Sequence, residues 1–120
     1  MKGWVDEQLR ALCRVPVSAS GGGDRTEIVV WIDSAYNGGL AIQLQQVSEL
    51  GLVQESSAEA VLADGHSVEL ETFACFIDWF GNCYETQIAA SDGQYPLLGT
   101  MLLAGRRLDI NYGAKTVELA

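Results

Sequence analysis

The sequence predicts an all-β protein in which short strands close into a barrel and few residues are helical. Two observations carry this prediction. Turn-forming residues divide the chain into short apolar runs at regular spacing, which is typical of a sandwich or a barrel. Within several of these runs, apolar and polar residues alternate, as they do in a strand with one buried face.

The turns set the order of the predicted strands. The Asp64-Gly65 pair is the strongest hairpin signal in the chain, since Asp-Gly suits the tight turn of a two-stranded hairpin. In the first half of the chain, Gly21-Gly22-Gly23-Asp24 separates the predicted strands 14–18 and 26–32, and Asp64-Gly65 separates 58–63 and 66–73. Further along, Gly81-Asn82 separates 71–80 and 83–89, and Gly113 separates 108–112 and 116–119.

Alternation is clearest in two of these segments. In the strand after Asp64-Gly65, the apolar side is expected to be Val68, Leu70 and Thr72, with Ser67, Glu69 and Glu71 on the other side. Near the C-terminus, Leu108, Ile110 and Tyr112 alternate with Asp109 and Asn111 in the same way.

Helix signals are sparse. Residues 100–104 are predicted to form one short C-terminal helix, with Thr100 as its N-cap and Gly105 just beyond its end. Residues 45–50 are a second candidate, and residues 5–12 permit a helix more weakly.

The composition indicates a single domain over residues 1–120, with 48% hydrophobic and 19% charged residues. The net charge is −9, from 16 acidic and 7 basic residues, and such a surface repels phosphate groups. We therefore expect no nucleic-acid partner and no anionic membrane surface. No run approaches the roughly 18 apolar residues of a membrane span.

The cysteines and the single histidine indicate no metal site. Cys13, Cys75 and Cys83 lack the spacing of a zinc site, and His66 has no second histidine with which to share a metal. Residues 1–14 carry charges throughout and lack the apolar core of a secretion signal. We expect a cytoplasmic protein without a cofactor, whose three thiols are free and buried.

The most informative segment ends in a carboxylate. Residues 28–32 are five consecutive apolar residues, which predicts a strand buried on both faces, and Asp33 follows them directly. Small and turn-forming residues then lead to Gly38-Gly39. A carboxylate at the end of a core strand is costly unless it is hydrogen-bonded, so Asp33 either caps its own turn or has a function.

Three motifs in order resemble the retropepsin-like aspartic proteases. In that family an Asp-Thr/Ser-Gly loop is followed by a β-hairpin flap and then by two hydrophobic residues and a glycine. Here the corresponding residues are Asp33-Ser34-Ala35, the Asp64-Gly65 hairpin and Leu97-Leu98-Gly99. The resemblance runs from about Val15 to Leu119 and is closest to small bacterial single-domain members, whose loop continues with an aromatic residue, any residue and glycine.

The resemblance implies a retropepsin-like closed barrel and a homodimeric aspartic endopeptidase acting on a peptide or protein substrate. Two carboxylates that share one proton activate a water and polarise the scissile carbonyl. Because the chain has one such loop, a second copy would supply the second Asp33 across a twofold axis. By resemblance Ser34 would brace the two loops against each other, and Gly99 would pack behind the loop.

The same resemblance assigns the substrate-binding residues and the dimer contacts. The residues expected to contact a bound peptide are Asn37 of the loop and Ala63, Asp64, Gly65 and His66 at the flap tip. In family members the chain ends often join an intersubunit sheet, which here would involve residues 116–120 alone or together with those near 1–5.

One residue departs from the family pattern. Ala35 stands where the third motif residue is normally glycine. Two alternatives therefore remain beside the enzyme. One is a catalytically inactive module of the same fold that binds peptide or only dimerises. The other is a monomeric β-barrel that binds a small ligand in its mouth.

Overall fold

The computed structural model describes residues 1–61 and 63–120, with the side chains of all of these except residues 56–58 and 60. The described elements, in chain order, are β1 Lys2–Val5, β2 Ala11–Ser18, β3 Thr26–Ile32, β4 Leu40–Gln43, α1 Leu44–Glu49, β5 Val53–Val61, β6 Ser67–Trp79, β7 Asn82–Ser91, β8 Leu97–Leu98, α2 Thr100–Leu103, β9 Leu108–Asn111 and β10 Thr116–Leu119.

Six of the strands close into a barrel. The sheet order is β5-β6-β7-β4-β8-β3-β2-β1-β10-β9, and a further antiparallel pairing of β6 with β2 joins the two ends of the central run. That closure pairs Val17 with Ile77 and Ser18 with Phe76. The β3–β8 and β4–β7 pairs are parallel, whereas the other described pairs are antiparallel.

The core fills the inside of this barrel with alternate residues of its strands. In β3, Ile28, Val30 and Ile32 are buried, whereas Val29 is half-buried and Trp31 is 39% exposed. The expectation that this strand is buried on both faces is therefore wrong. The outer face is instead covered locally, where the Trp31 ring meets Tyr95 edge-on at 6.3 Å between centroids. A run of five apolar residues does not distinguish a strand with one buried face from a strand buried on both faces.

The predicted hairpins are confirmed. The β5–β6 hairpin turns at Asp64-Gly65, where Gly65 has a φ of +87° that favours glycine. Val68, Leu70 and Thr72 lie on its more buried side, as expected. Of the predicted strand 58–63, residue 62 lies outside the described residues. Near the C-terminus, the expected alternation ends one residue early, because β9 stops at Asn111 and the following tyrosine is exposed.

The helices differ from expectation in detail. The C-terminal helix forms, but its N-cap is Gly99 rather than Thr100. Thr100 is the first helical residue, and its N–H donates to the carbonyl oxygen of Tyr36 at 2.8 Å. The candidate at residues 45–50 forms one residue earlier, as α1.

The prediction that residues 5–12 could be helical is wrong. They contain the turn between β1 and β2, where the Asp6 carboxylate accepts hydrogen bonds from the backbone N–H groups of Gln8 and Arg10. Asp6 also pairs with the Arg10 guanidinium at 2.8 Å. An Asp that binds its own backbone two residues ahead is a turn signal that overrides weak helix propensity.

The two ends of the chain pair with each other. The first strand lies between β2 and β10, and β10 lies between β1 and β9. Both edges of β1 and β10 are therefore occupied by strands of the same chain. The expectation that residues 1–5 and 116–120 join an intersubunit sheet is wrong for these strands. The free edges of the described sheet are β5 and β9.

The cysteines divide into two environments. Cys13 and Cys75 are buried, and burial raises the pKa of each thiol to about 11. Cys83 is exposed, so the expectation of three buried thiols is wrong for this residue.

We predict that one thiol of the folded protein reacts with a disulfide reagent near pH 8 and that all three react in denaturant. A buried thiol with a raised pKa presents little thiolate, which is the reactive form. The measurement is a spectrophotometric thiol titration. Cys83→Ser is expected to remove the fast reaction, and a fast reaction that persists in this variant would contradict the assignment.

Candidate active site

Asp33 lies at the carboxyl end of β3, half-buried, in a loop of residues 33–39 that we call the Asp33 loop. Its N–H donates to the carbonyl oxygen of Leu98 at 2.8 Å, and its Oδ1 accepts from the N–H of Ala35 at 2.9 Å. Within the described part of the chain, no group donates to its Oδ2 and no cation pairs with it. One oxygen therefore caps the turn, while the other is free to bind a water or a substrate.

A short segment behind the Asp33 loop fixes its backbone. Strand β8 runs parallel to β3 and antiparallel to β4, so it lies between the strands that enter and leave the loop. Beyond β8, the N–H groups of Gly99, Thr100 and Met101 donate to loop carbonyl oxygens at 2.7, 2.8 and 3.0 Å. The loop that carries Asp33 is thus held by the backbone of the next element at several points.

Gly99 is the point of closest approach between these segments. A Cβ atom built on Gly99 would collide with the carbonyl oxygen of Gly38 and with the ring and carbonyl oxygen of Tyr36. Its φ of −102° is ordinary, so the requirement for glycine here is space rather than backbone conformation. Gly99 packs against the Asp33 loop, in the position that the sequence motif implied for it.

Tyr36 is a residue of the loop for which sequence reasoning predicted no role. It is buried, and Cβ atoms added at Gly38 or Gly99 would both meet its ring. Burial raises the pKa of its phenol, so the ring stays neutral in the physiological range. In the loop motif, Tyr36 occupies the aromatic position and Gly38 the glycine two residues later. This pair was the sequence signal that could have predicted the packing of the ring.

Ser34 and Ala35 are both exposed. Ala35 does not have a positive φ, so its methyl group strains no backbone torsion in this loop. Its N–H already makes the hydrogen bond to Asp33 that a glycine would make. The Ser34 hydroxyl has no partner elsewhere in the described chain, which leaves it available to another molecule.

The β5–β6 hairpin carries the other predicted site residues. Ala63, Asp64, Gly65 and His66 form its exposed tip, as the turn signal indicated. The Asp64 carboxylate accepts hydrogen bonds from the His66 side chain and backbone, and these bonds lower the pKa of the carboxyl group. Asn37 of the Asp33 loop contacts the same hairpin, since its Oδ1 accepts from the N–H of Val61 at 3.1 Å.

A pocket of about 440 Å³ lies between the Asp33 loop and the hairpin. Its lining is mixed, with aliphatic side chains beside hydroxyl and amide groups. The lining residues are Tyr36, Asn37, Gly38, Gly39, Leu40, Glu59, Leu70, Thr72, Thr86, Gln87, Ala89 and Met101. Of the predicted site residues, Asn37 alone is part of this lining, whereas Asp33 and the hairpin tip lie outside it.

The described residues contain no group of three or more histidine, cysteine or acidic side chains that could hold a metal ion. In the same part of the chain, no helix is long and apolar enough to cross a membrane.

Comparison with solved structures identifies the fold. The structure superposes on a retropepsin-like aspartic protease from Rickettsia conorii with a TM-score of 0.61 and 14% identity, over 99% of this chain and 88% of that one. It also superposes on the EIAV protease in complex with the inhibitor HBY-793, with a TM-score of 0.59 and 17% identity, over 83% of this chain and 90% of that one. No protein-family model and no curated protein sequence matches the chain. The chain therefore has a retropepsin-like fold.

Proposed function

We propose that this protein is a homodimeric aspartic endopeptidase whose active site contains Asp33 from each of two chains. The observation that carries the proposal is the state of the Asp33 carboxylate in a retropepsin-like fold. Its Oδ1 is fixed by Ala35, its Oδ2 is free, and the loop behind it is held by the backbone that follows β8. A fixed carboxylate with a free oxygen is what a water-activating group requires.

The proposed chemistry uses two such carboxylates and neither a metal nor a cofactor. Two carboxylates a few ångströms apart cannot both ionise, so the pair holds one proton and titrates as a unit. The ionised member takes a proton from water as that water attacks the scissile carbonyl carbon. The protonated member donates to the carbonyl oxygen, which gives a tetrahedral diol. As the diol collapses, one carboxyl group donates a proton to the amide nitrogen, the C–N bond breaks, and the other carboxylate takes a proton from a diol hydroxyl. The exposed Ser34 hydroxyl would brace the two loops across the twofold axis.

The substrate of this reaction would be a peptide in extended conformation. It would lie between the Asp33 loop and the β5–β6 hairpin, which would act as the flap, and pair with free backbone groups as an added strand. The 440 Å³ pocket would take one of its side chains. Asn37 would contact the peptide from below, and residues Ala63–His66 at the tip would cover it and exclude water.

The local conformation of Ala35 supports an active enzyme over a catalytically inactive protein of the same fold. Ala35 is exposed, and its N–H donates to Asp33 Oδ1 at 2.9 Å. The three cysteines of the chain are free thiols, as is usual for proteins of the cytoplasm. We therefore propose a cytoplasmic location, and we propose a bacterial source from the resemblance to small bacterial members.

A second candidate function is a non-catalytic module that binds peptide. The pairing of β1 with β10 inside the chain favours it, because these strands are then not available to join two subunits. A chain that stayed monomeric would have one Asp33 and no paired carboxylates.

Incubation with a diverse peptide library, from about pH 4 to pH 7.5, tests the two candidates. Products are identified by mass spectrometry, and sedimentation at the same concentration gives the oligomeric state. The enzyme predicts a dimer and cleavage. Retention of peptides without cleavage, by a folded dimer, would favour the module. A monomer at micromolar concentration would contradict the paired-carboxylate mechanism.

A further inference from the structure

The hydrogen bond between Asn37 and Val61 joins two segments that are 24 residues apart in the chain. Val61 is the last residue of β5, an edge strand that pairs on one side with β6. An amide N–H points to one side of its strand only, so the bond to Asn37 shows that the Val61 N–H lies on the free edge. The Asn37 carboxamide therefore occupies an edge donor that another strand would otherwise use.

The two ends of this hydrogen bond differ in how firmly they are held. On one side, Asn37 lies between Tyr36 and Gly38, whose carbonyl oxygens accept from Thr100 and Met101. On the other side, the described side chains of β5 are exposed, with Val53 72% exposed and Val61 39% exposed. Strand edges with few buried contacts open most easily in a folded protein. Opening of this contact therefore moves the hairpin rather than the loop.

We propose that Asn37 is a latch, which holds the β5–β6 hairpin against the Asp33 loop and must be displaced before an extended peptide can pair with the end of β5. The Val61 N–H donates one hydrogen bond, so the Asn37 carboxamide and a peptide carbonyl oxygen compete for it. The carboxamide acts as a built-in substitute for the substrate backbone. Asn37 is a positioning residue in this scheme, since it acts through the hairpin rather than on the reacting atoms.

The latch has a direct signature in the protein without substrate. Hydrogen exchange of the Val61 amide reports the opening of this bond, and nuclear magnetic resonance measures it residue by residue. Asn37→Ala removes the acceptor, and the Val61 amide is expected to exchange about fivefold faster, as the loss of one net hydrogen bond predicts. Asn37→Asp keeps an acceptor oxygen at the same place, so at neutral pH its Val61 amide is expected to exchange no faster than in the wild type.

Gln43→Ala is the matched control. Its side chain also makes one exposed hydrogen bond to backbone, donating from Nε2 to the carbonyl oxygen of Gly93 at 3.2 Å. This variant should leave exchange at Val61 unchanged. The latch is wrong if the Val61 amide exchanges at the same rate in wild type and Asn37→Ala, or if the Ala and Asp variants behave alike.

The consequence for substrate binding rests on the proposed function, whereas the exchange experiment does not. In an active dimer, a bound extended peptide is expected to displace the Asn37 carboxamide from the Val61 N–H, and so to shift the side-chain amide resonances of Asn37. Faster exchange of the Val61 amide in Asn37→Ala, without cleavage of any peptide, would support the latch and contradict the proposed protease activity. Cleavage that depends on Asp33, with an unchanged exchange rate of the Val61 amide in Asn37→Ala, would support the protease and contradict the latch.

Discussion

Asp33→Asn is expected to lower kcat for peptide hydrolysis at least about a thousandfold, since the substitution would remove both acid–base groups of the proposed dimeric site. The asparagine carbonyl can still accept from the N–H of Ala35, as Asp33 Oδ1 does at 2.9 Å. The turn, and with it the fold, should therefore persist. Steady-state hydrolysis of a peptide selected from the library, with a melting curve for each protein, measures both quantities.

Asp24→Asn is the matched control for this substitution. Asp24 precedes β3 and Asp33 follows it, so the two carboxyl groups lie at opposite ends of one strand. Asp24 is exposed, and its loss should leave the rate of hydrolysis unchanged. Comparable activity in wild type and Asp33→Asn would show that another site, or a contaminant, hydrolyses the peptide.

Gly99→Ala is expected to lower the free energy of unfolding by about 3 kcal/mol and to abolish most hydrolysis at the same time. The new methyl group would overlap the carbonyl oxygen of Gly38 and the backbone of Tyr36, neither of which is the flexible end of a side chain. Relief of this overlap requires the Asp33 loop to move away from its support. Small displacements of reacting groups lower rates steeply, so activity is expected to fall in the fraction that still folds.

Gly22→Ala provides the comparison for stability. A Cβ atom on Gly22 would meet nothing within 4 Å, and its φ does not lie in the region that favours glycine. We expect its free energy of unfolding to stay within about 0.5 kcal/mol of the wild type in urea denaturation. Equal stability of the two glycine variants would show that the Asp33 loop is not packed as tightly against Gly99 as described.

Local signals were sufficient for much of the fold and for the position of Asp33. The Asp64-Gly65 turn and the alternation through Leu70 depend on neighbours in sequence, and the structure has both. Asp33 follows the last apolar residue of β3, so its place at a strand end could be read directly from the chain. The retropepsin-like barrel was predicted from the order of the motifs, and the superpositions confirm it.

Features that depend on contacts between distant segments could not be predicted in the same way. The partners of β1 and β10 are set by register across the whole chain. Trp31 lies on the outer face of β3, where Tyr95 and Arg10 from other segments cover part of its ring. The hydrogen bond of Asn37 to the hairpin likewise joins residues that no sequence pattern connects.

The central claim is that one active site needs Asp33 from two chains, and a mixing experiment tests it most directly. Asp33→Asn protein is added to a fixed amount of wild type, above the concentration at which dimers form, and subunits are allowed to exchange. Random pairing of subunits predicts that an equal amount of the variant lowers hydrolysis to about half, and a ninefold excess to about a tenth. A rate that stays unchanged as the variant is added would contradict the account, because each chain would then contain a complete site of its own.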